Sequence, residues 1–409
     1  MSIPLFWILA ETVALLLLLA ALPGTIYLLV LSIAGVRSIA APRSPTPDES
    51  DSGVEKPPIA IVVPAHNEAS GIARTLENLC HIARCDGAAS VVVIADNCTD
   101  DTAQIARLLG ARVLERQDES RRGKGYALDF AFRTLGGENY SGYVVIDADS
   151  VADANLLDAI RSRFAAGALA VQTRYTVLNA DQSARTQLAE LALCAFNCLR
   201  PRGRHALGLS AGILGNGFAL RQSALERVPY CATSVVEDLE YHLKLVEQGI
   251  RVHFADETTV RGDMPTAGAG QATQRSRWEG GRLRMLLDHG GPLARRALGG
   301  QGRFIEPLLD LLLLPLAYHA LLLMCLLLFP MIWSRVFGVF GLLVLAGHVV
   351  AAARVGALSS ESLWKTFAHL PSYIVWKLAM LHATVRASNT STRWVRTDRE
   401  TSRQRRHHA

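Results

Sequence analysis

The chain lacks the residues that would point to a disulfide-stapled, zinc-bound or dinucleotide-binding protein. Its cysteines are Cys80, Cys85, Cys98, Cys194, Cys198, Cys231 and Cys325, an odd number with no C-x-x-C pair. That argues against a disulfide framework and against a zinc site, and it predicts reduced thiols facing the cytosol. Cys194 and Cys198 lie one helical turn apart and are expected to share an apolar face. No strand-like stretch carries G-x-G-x-x-G or a Walker lysine motif, which argues against a dinucleotide or P-loop site. No basic residue precedes the first apolar run, and that run is too long for the core of a cleaved signal peptide. Charge is nearly absent from it: between Leu5 and Val36 the only ionisable side chains are Glu11 and Tyr27.

The 409 residues carry a formal net charge of +5, and half of them are apolar. The apolar residues concentrate at 5–36 and 305–356. The stretch between is mixed and long enough to bury its own core, so a globular domain is expected between membrane segments. Residues 1–36 read as one transmembrane helix, because a crossing needs about 20 apolar residues. Pro23-Gly24 is expected to kink it or to mark its wider part. Residues 37–57, with the run SPTPDESDSGVEKP, read as a linker, 58–300 as the globular domain, and 301–356 as two further spans, roughly Pro307 to Phe329 and Val336 to Ala353. Arg37 and Arg43 follow the first span, which places the domain in the cytosol by the positive-inside rule. The segment 357–386 contains Lys365, His369, Pro371, Lys377 and His382 and reads as an interfacial or re-entrant helix, with a fourth span as the alternative. Residues 387–409 form a basic tail expected on the cytosolic side, where anionic lipid attracts it.

Within the domain, the pattern alternates. Strands are expected at Ile59–Val63, Val91–Ala95, Ala111–Leu114 and Tyr143–Ile146, and helices at Glu68–His81, Thr99–Leu109 (with Thr99 as its cap) and Gly125–Leu135. This order predicts an α/β fold with a mostly parallel sheet and ligands at the carboxyl ends of its strands. Those ends carry polar groups: Pro64-Ala65-His66-Asn67-Glu68, then Asp96-Asn97-Cys98-Thr99-Asp100, then Asp147-Ala148-Asp149. One acidic strand end is ordinarily a turn or a cap. Three at one sheet edge suggest a polyanion or metal site. Asp147 and Asp149 could share one hard cation, Mg2+ or Mn2+, which bridges carboxylates to substrate phosphates. The loop Arg121-Arg122-Gly123-Lys124-Gly125 before a helix suits a phosphate, with a solvated basic loop as the bland alternative.

With these residues placed, the sequence resembles the family 2 glycosyltransferases, most nearly the membrane-integrated branch that includes cellulose, chitin, hyaluronan and poly-N-acetylglucosamine synthases. Pro64-x-x-Asn67-Glu68 with Asp96, Gly123-Lys124-Gly125, Asp147-x-Asp149, Glu237-Asp238 and Gln274-x-x-Arg277-Trp278 carry the resemblance in order, over roughly residues 57–290. The resemblance implies a GT-A-type fold, a nucleotide-diphospho-sugar donor, usually a UDP-sugar, and an inverting mechanism. It implies that Glu68 and Asp96 hold the nucleoside, Lys124, Asp147 and Arg277 the diphosphate, and Asp147 and Asp149 the metal. Asp238 would be the general base, and Glu237, Gln274 and Trp278 would shape the acceptor end. The capping role of carboxylates at a helix start is the plain alternative for Asp238. Asp96-Asn97 departs from the commoner Asp-Asp pair at that strand end, which leaves the base open.

The expected product is a polysaccharide or other glycan at the cytosolic face of a bacterial inner membrane. The alternatives are transfer of one sugar to a polyprenyl-linked or other lipid acceptor, and a non-catalytic membrane scaffold. Further subunits or a homo-oligomer are left open. Arg200, Arg202 and Arg204, after an apolar helix at 185–199, are expected at the membrane surface, either holding an acceptor phosphate or headgroup or anchoring the chain. The few ionisable residues in the spans, Glu11, Asp310, His319 and His348, argue against a cation transporter. The basic tail holds one aromatic, Trp394, which favours membrane attraction over nucleic acid, and no nucleic-acid partner is expected.

Overall fold

A computed structural model describes residues 5–39, 56–231, 234, 236–264, 268–358 and 386, with backbone alone for 39 and 268–275. Most of the expected linker, the segment expected at 357–386 and the basic tail lie outside the described residues, and so does the side chain of Gln274.

Among the described residues the globular part has eight strands: β1 Ile59–Ala65, β2 Ala89–Asp96, β3 Arg112–Arg116, β4 Gly142–Val145, β5 Ser150–Ala152, β6 Ala170–Val177, β7 Phe218–Arg221 and β8 Val252–Gly262. They form one sheet in the order β3-β2-β1-β4-β7-β6-β8-β5. The half from β3 to β4 is parallel. Beyond it β7 runs antiparallel to both neighbours, β6 pairs parallel with β8, and β5 closes the edge antiparallel. The sheet is therefore mixed, with its parallel half where the βα alternation is regular.

The helices are α1 Leu5–Ile39, α2 Ile72–Asp86, α3 Thr102–Leu108, α4 Lys124–Leu135, α5 Leu156–Ala165, α6 Ala184–Leu193, α7 Arg200–Ala206, α8 Gln222–Arg227, α9 Glu237–Glu247, α10 Gly268–Leu298, α11 Ile305–Leu312, α12 Leu316–Leu327 and α13 Ile332–Val355. The period-two alternation of β1 sorts its side chains onto two cores. Ile59, Ile61 and Val63 face α2 and α5, packing on Ile72, Leu76, Leu79 and Ile160. Ala60 and Val62 face α4 and α9, packing on Leu128, Phe132, Tyr241 and Leu245.

Two helix starts differ from the sequence reading. The first helix of the domain begins at Ile72 rather than Glu68, because residues 68–71 form a turn in which Gly71 and Ile72 donate to Glu68 O (both 3.0 Å). The next begins at Thr102 rather than at a Thr99 cap: the Asp100 carboxylate accepts from Thr102 N (3.1 Å), while Thr99 N is turned away to Asn67 Oδ1 (2.7 Å).

Among the described residues two helices, α1 and α13, are long and apolar enough to cross a membrane. The pair α11 and α12 passes the same test together but is bent by 79° at its break, so it is one broken span or a re-entrant loop where the sequence suggests a single run from Pro307 to Phe329. α1 continues through Pro23 without interruption. It packs on α7 at a close crossing: a Cβ on Gly203 would lie 2.5 Å from Leu31 O, and one on Gly35 would lie 2.7 Å from Leu199 Cδ1. Only glycine fits at Gly203, and that lets α7 reach the membrane helix.

Polar pairs join the apolar helices. His319 Nε2 meets Thr25 Oγ1 (3.0 Å), His348 Nδ1 meets Ser32 Oγ (2.8 Å), and Tyr27 Oη donates to Glu306 Oε1 (2.6 Å). His319, His348, Tyr27 and Glu306 thus hold helices together, since a polar group in hydrocarbon needs a partner. Arg202 and Arg204 correct the surface expectation. Arg202 is buried and paired with Asp256, and Arg204 is buried against Glu306 (2.6 Å) and Asp310.

Candidate active site

The loops after β1 and β2 are bound to each other. Asn67 and Asn97 both take left-handed backbone conformations (φ 55° and 51°), which asparagine tolerates better than most residues. From there Glu68 N donates to Thr102 Oγ1 (2.8 Å), Ala69 N to Asp100 Oδ2 (3.1 Å) and Asp118 N to Asn97 Oδ1 (2.8 Å). His66 Nδ1 meets Asp96 O (2.7 Å). Glu68 is half-buried beside this junction. Asp96 is buried at the end of β2, and its carboxylate accepts from Arg116 and from Asn97 Nδ2 (3.0 Å). Burial raises the Asp96 pKa above its ordinary value, with Arg116 opposing. Arg116 comes from the neighbouring β3 and was not anticipated. It pairs with Asp96 only because the parallel register sets those two residues side by side.

The second cluster sits past the end of β4. Asp147 and Asp149 alternate with buried Ala148 and Ser150, so both carboxylates lie on the less buried side of the chain. Asp147 N donates to Asn216 Oδ1 (3.1 Å), and Asn216 Nδ2 donates to Ser150 Oγ (2.8 Å), fixing the loop from across the sheet. Asp149 Oδ1 accepts from Ser150 Oγ (3.1 Å). Lys124, at the start of α4, donates its ammonium to the Asp147 carboxylate and to Gly215 O. Burial would lower the Lys124 pKa, but Asp147, Glu237 and Asp238 outweigh it and hold it above its ordinary value.

Gly215 also carries the third element. Its backbone is left-handed (φ 82°), and a Cβ there would lie 3.2 Å from Asp238 Oδ2. The Asp238 carboxylate at the start of α9 therefore stands beside the Lys124–Asp147 pair. Asp238 Oδ1 accepts from Leu239 N (2.8 Å). Burial raises the pKa of both Glu237 and Asp238, and the Asp238 charge raises Glu237 further. Arg277 on α10 is partly buried and has its pKa lowered by burial, with the Glu237 charge opposing. Trp278 packs on Val177, Ala189 and Met264, next to α6.

The structure thus brings Lys124, Asp147 and Asp238 together, with Asp149 and Glu237 adjoining along the chain and the Glu237 charge acting on Arg277. Asp96 and Glu68 form a separate wall at the ends of β1 and β2. Gly215 and Asn216 were missed by the sequence reading, although Gly-Asn-Gly at 215–217 between apolar runs was a signal of a special turn.

The donor set bears on a metal. Among the described residues no group of three or more His, Cys, Asp or Glu side chains could hold an ion alone. Two carboxylates with room for phosphate oxygens and water suit Mg2+ or Mn2+, which keep several non-protein ligands. The residues present fit such an ion completed by a diphosphate.

Comparison with known proteins shows the family and the fold. A family model described as glycosyltransferase like family 2 matches residues 57–281. The β-monoglucosyldiacylglycerol synthase of Nostoc sp. (strain PCC 7120) is 28% identical over 252 residues, covering 59% of this chain and 53% of that protein. The probable glycosyltransferase YdaM of Bacillus subtilis (strain 168) is 24% identical over 244 residues, 57% of each. The chain spans about half the length of these curated relatives. Among solved structures, the mannosyltransferase PcManGT of Pyrobaculum calidifontis, in complex with GDP-Man and Mn2+, covers 94% of this chain and all of its own, with TM-score 0.54 and 20% identity. That likeness is one of fold, a GT-A-type mixed sheet with helices.

Proposed function

The chain belongs to the glycosyltransferase-like family 2, and from that premise we propose that it transfers one sugar, with inversion, from a nucleotide-diphospho-sugar to a lipid acceptor at the cytosolic face of a membrane. The observation that carries the reading is the convergence of Asp147, Lys124, Gly215 and Asp238 at one sheet edge, beside α10, which leads into the membrane helices.

In this reading Glu68 and Asp96 hold the nucleoside, with UDP as the family's usual carrier. Lys124, Asp147 and Arg277 face the diphosphate. Asp147 and Asp149 would hold Mg2+ or Mn2+, which would offset the charge of the departing diphosphate. Asp238 accepts the proton of an acceptor hydroxyl as its oxygen bonds the anomeric carbon, and the carbon–oxygen bond to the diphosphate breaks on the opposite face. One carboxylate suffices, because no covalent sugar–enzyme intermediate forms. Glu237, Gln274 and Trp278 shape the acceptor end, where an indole ring suits the apolar face of a sugar or glycerol unit.

Two apolar spanning helices tied to the domain and relatives named for a glycosylated diacylglycerol support the lipid acceptor. A polysaccharide product would use the same chemistry with a growing glycan as acceptor. The test is incubation of the detergent-purified protein with a panel of nucleotide sugars and a membrane lipid extract, read by mass spectrometry. One hexose added to a lipid supports the reading. A ladder of sugars would replace it with polymer synthesis, and no product with any donor would sink the enzymatic reading in favour of a scaffold.

A further inference from the structure

Arg200, the first residue of α7, is 4% exposed, yet its guanidinium forms no hydrogen bond or ion pair with any described residue. Its Nε is sealed from solvent without a partner. Its guanidinium lies over the Phe196 ring, whose centroid is 5.0 Å from Cζ, and feels the Asp310 charge without bonding to it. An unpaired buried guanidinium is costly to hold, because both its charge and its donors are desolvated. The neighbouring Arg202 and Arg204 do not share this state, since both are paired with carboxylates.

The surroundings leave a positive charge over. Arg282 lies over the same Phe196 ring (5.5 Å) and pairs with Asp310 (3.1 Å). Glu306 and Asp310 are thus engaged by Arg204 and Arg282, so three guanidiniums meet two carboxylates. The helix is reshaped just before Arg200. Residues Cys194–Leu199 form a π-helical turn, a feature that often marks functional positions. That turn packs on Ala351, Ala352 and Val355 of α13, and Leu199 lies against Gly35 of α1. On the other side the Arg282 charge reaches Asp238. Arg200 therefore stands at the start of α7, just after a turn packed on α1 and α13.

We propose that Arg200 binds the phosphate of a lipid headgroup at the junction of α1, α7 and α13, either the acceptor's own phosphate or that of an anionic phospholipid seated beside the acceptor. A guanidinium pairs with phosphate through two parallel N–H donors, and a phosphate supplies the missing negative charge. The proposal rests on the lipid-acceptor reading for its biological meaning, but binding can be measured without turnover.

The full chain is placed in phosphatidylcholine nanodiscs, and binding of phosphatidate and of phosphatidylglycerol is titrated by native mass spectrometry. The wild type is compared with Arg200→Gln, Arg200→Lys and, for general surface charge, Arg284→Gln. Arg284 is exposed and pairs with Asp288 (2.7 Å). Binding of UDP with Mn2+ reports that each variant is folded. The expected result is at least tenfold weaker binding of a phosphate lipid in Arg200→Gln, partial retention in Arg200→Lys and no change in Arg284→Gln. If the acceptor's own phosphate is bound, the KM for phosphatidylglycerol, whose headgroup hydroxyls can accept the sugar, rises and that for diacylglycerol does not. If a neighbouring phospholipid is bound, stimulation of diacylglycerol glycosylation by phosphatidylglycerol is lost instead. Lipid binding in Arg200→Gln within twofold of wild type, with nucleotide binding intact, overturns the proposal. Arg200-dependent binding without transfer from any donor would uphold the site and sink the transferase reading.

Discussion

The Lys124 ammonium is bonded to the Asp147 carboxylate, and the same nitrogen donates to Gly215 O. Lys124 thus stands against a carboxylate proposed to hold a metal and diphosphate, and Gly215 connects it to Asp238. Loss of Lys124 should therefore affect donor binding and the carboxylates together.

Lys124→Met should raise the donor KM at least tenfold, because a charge-assisted contact to phosphate is worth about 1.5–3 kcal/mol. Asp147→Asn should raise the Mn2+ concentration needed for half-maximal activity. Titrating donor and metal separately checks both, and unchanged constants in either variant contradict the assignment.

The pH profile follows from the buried carboxylates at the start of α9. Burial raises the pKa of Asp238, and burial with the Asp238 charge pushes Glu237 up to about 7. A base with a raised pKa is protonated at low pH and becomes competent as pH rises. The acidic limb of kcat/KM should accordingly lie above the value of roughly 4 for an exposed carboxyl. Glu237→Gln removes the like charge and should move that limb to lower pH.

Gly203 tests the docking of α7 on α1. A Cβ there would lie 2.5 Å from Leu31 O, which is backbone and cannot swing away. Gly203→Val should destabilise the detergent-solubilised protein by about 1–3 kcal/mol or more, read as a lower unfolding midpoint. An unchanged midpoint would mean that α1 and α7 do not meet this closely.

The buried pairing of Arg204 with Glu306 and Asp310 ties α7 to α11. Asp310→Asn leaves buried guanidiniums short of a counter-charge and should cost about 3–5 kcal/mol. Loss of the unfolding transition in Asp310→Asn but not in the exposed Arg284→Gln is the expected outcome.

Much of the parallel half of the sheet was readable, because β1, β2 and β4 are short apolar runs that end in polar groups. The residues of the candidate site stood at those ends and at the start of α9 for the same reason. What could not be read depends on long-range register. Arg116 meets Asp96 only through the β2–β3 pairing, and Asn216 reaches Asp147 from a distant loop. The arginines at 200–204 read as a membrane-surface stripe, because their partners Asp256, Glu306 and Asp310 lie far along the chain. The helix expected from Glu68 starts later because the loops after β1 and β2 use their polar groups on each other.

The most direct test of the central claim is transfer of radiolabelled sugar by the wild type and by Asp238→Asn, with Mn2+ or with EDTA, alongside nucleotide binding. The account predicts metal-dependent transfer that falls about 10²–10⁴-fold in the variant, while nucleotide binding stays within a few-fold. Transfer by Asp238→Asn at the wild-type rate would contradict the assignment of Asp238 as the base.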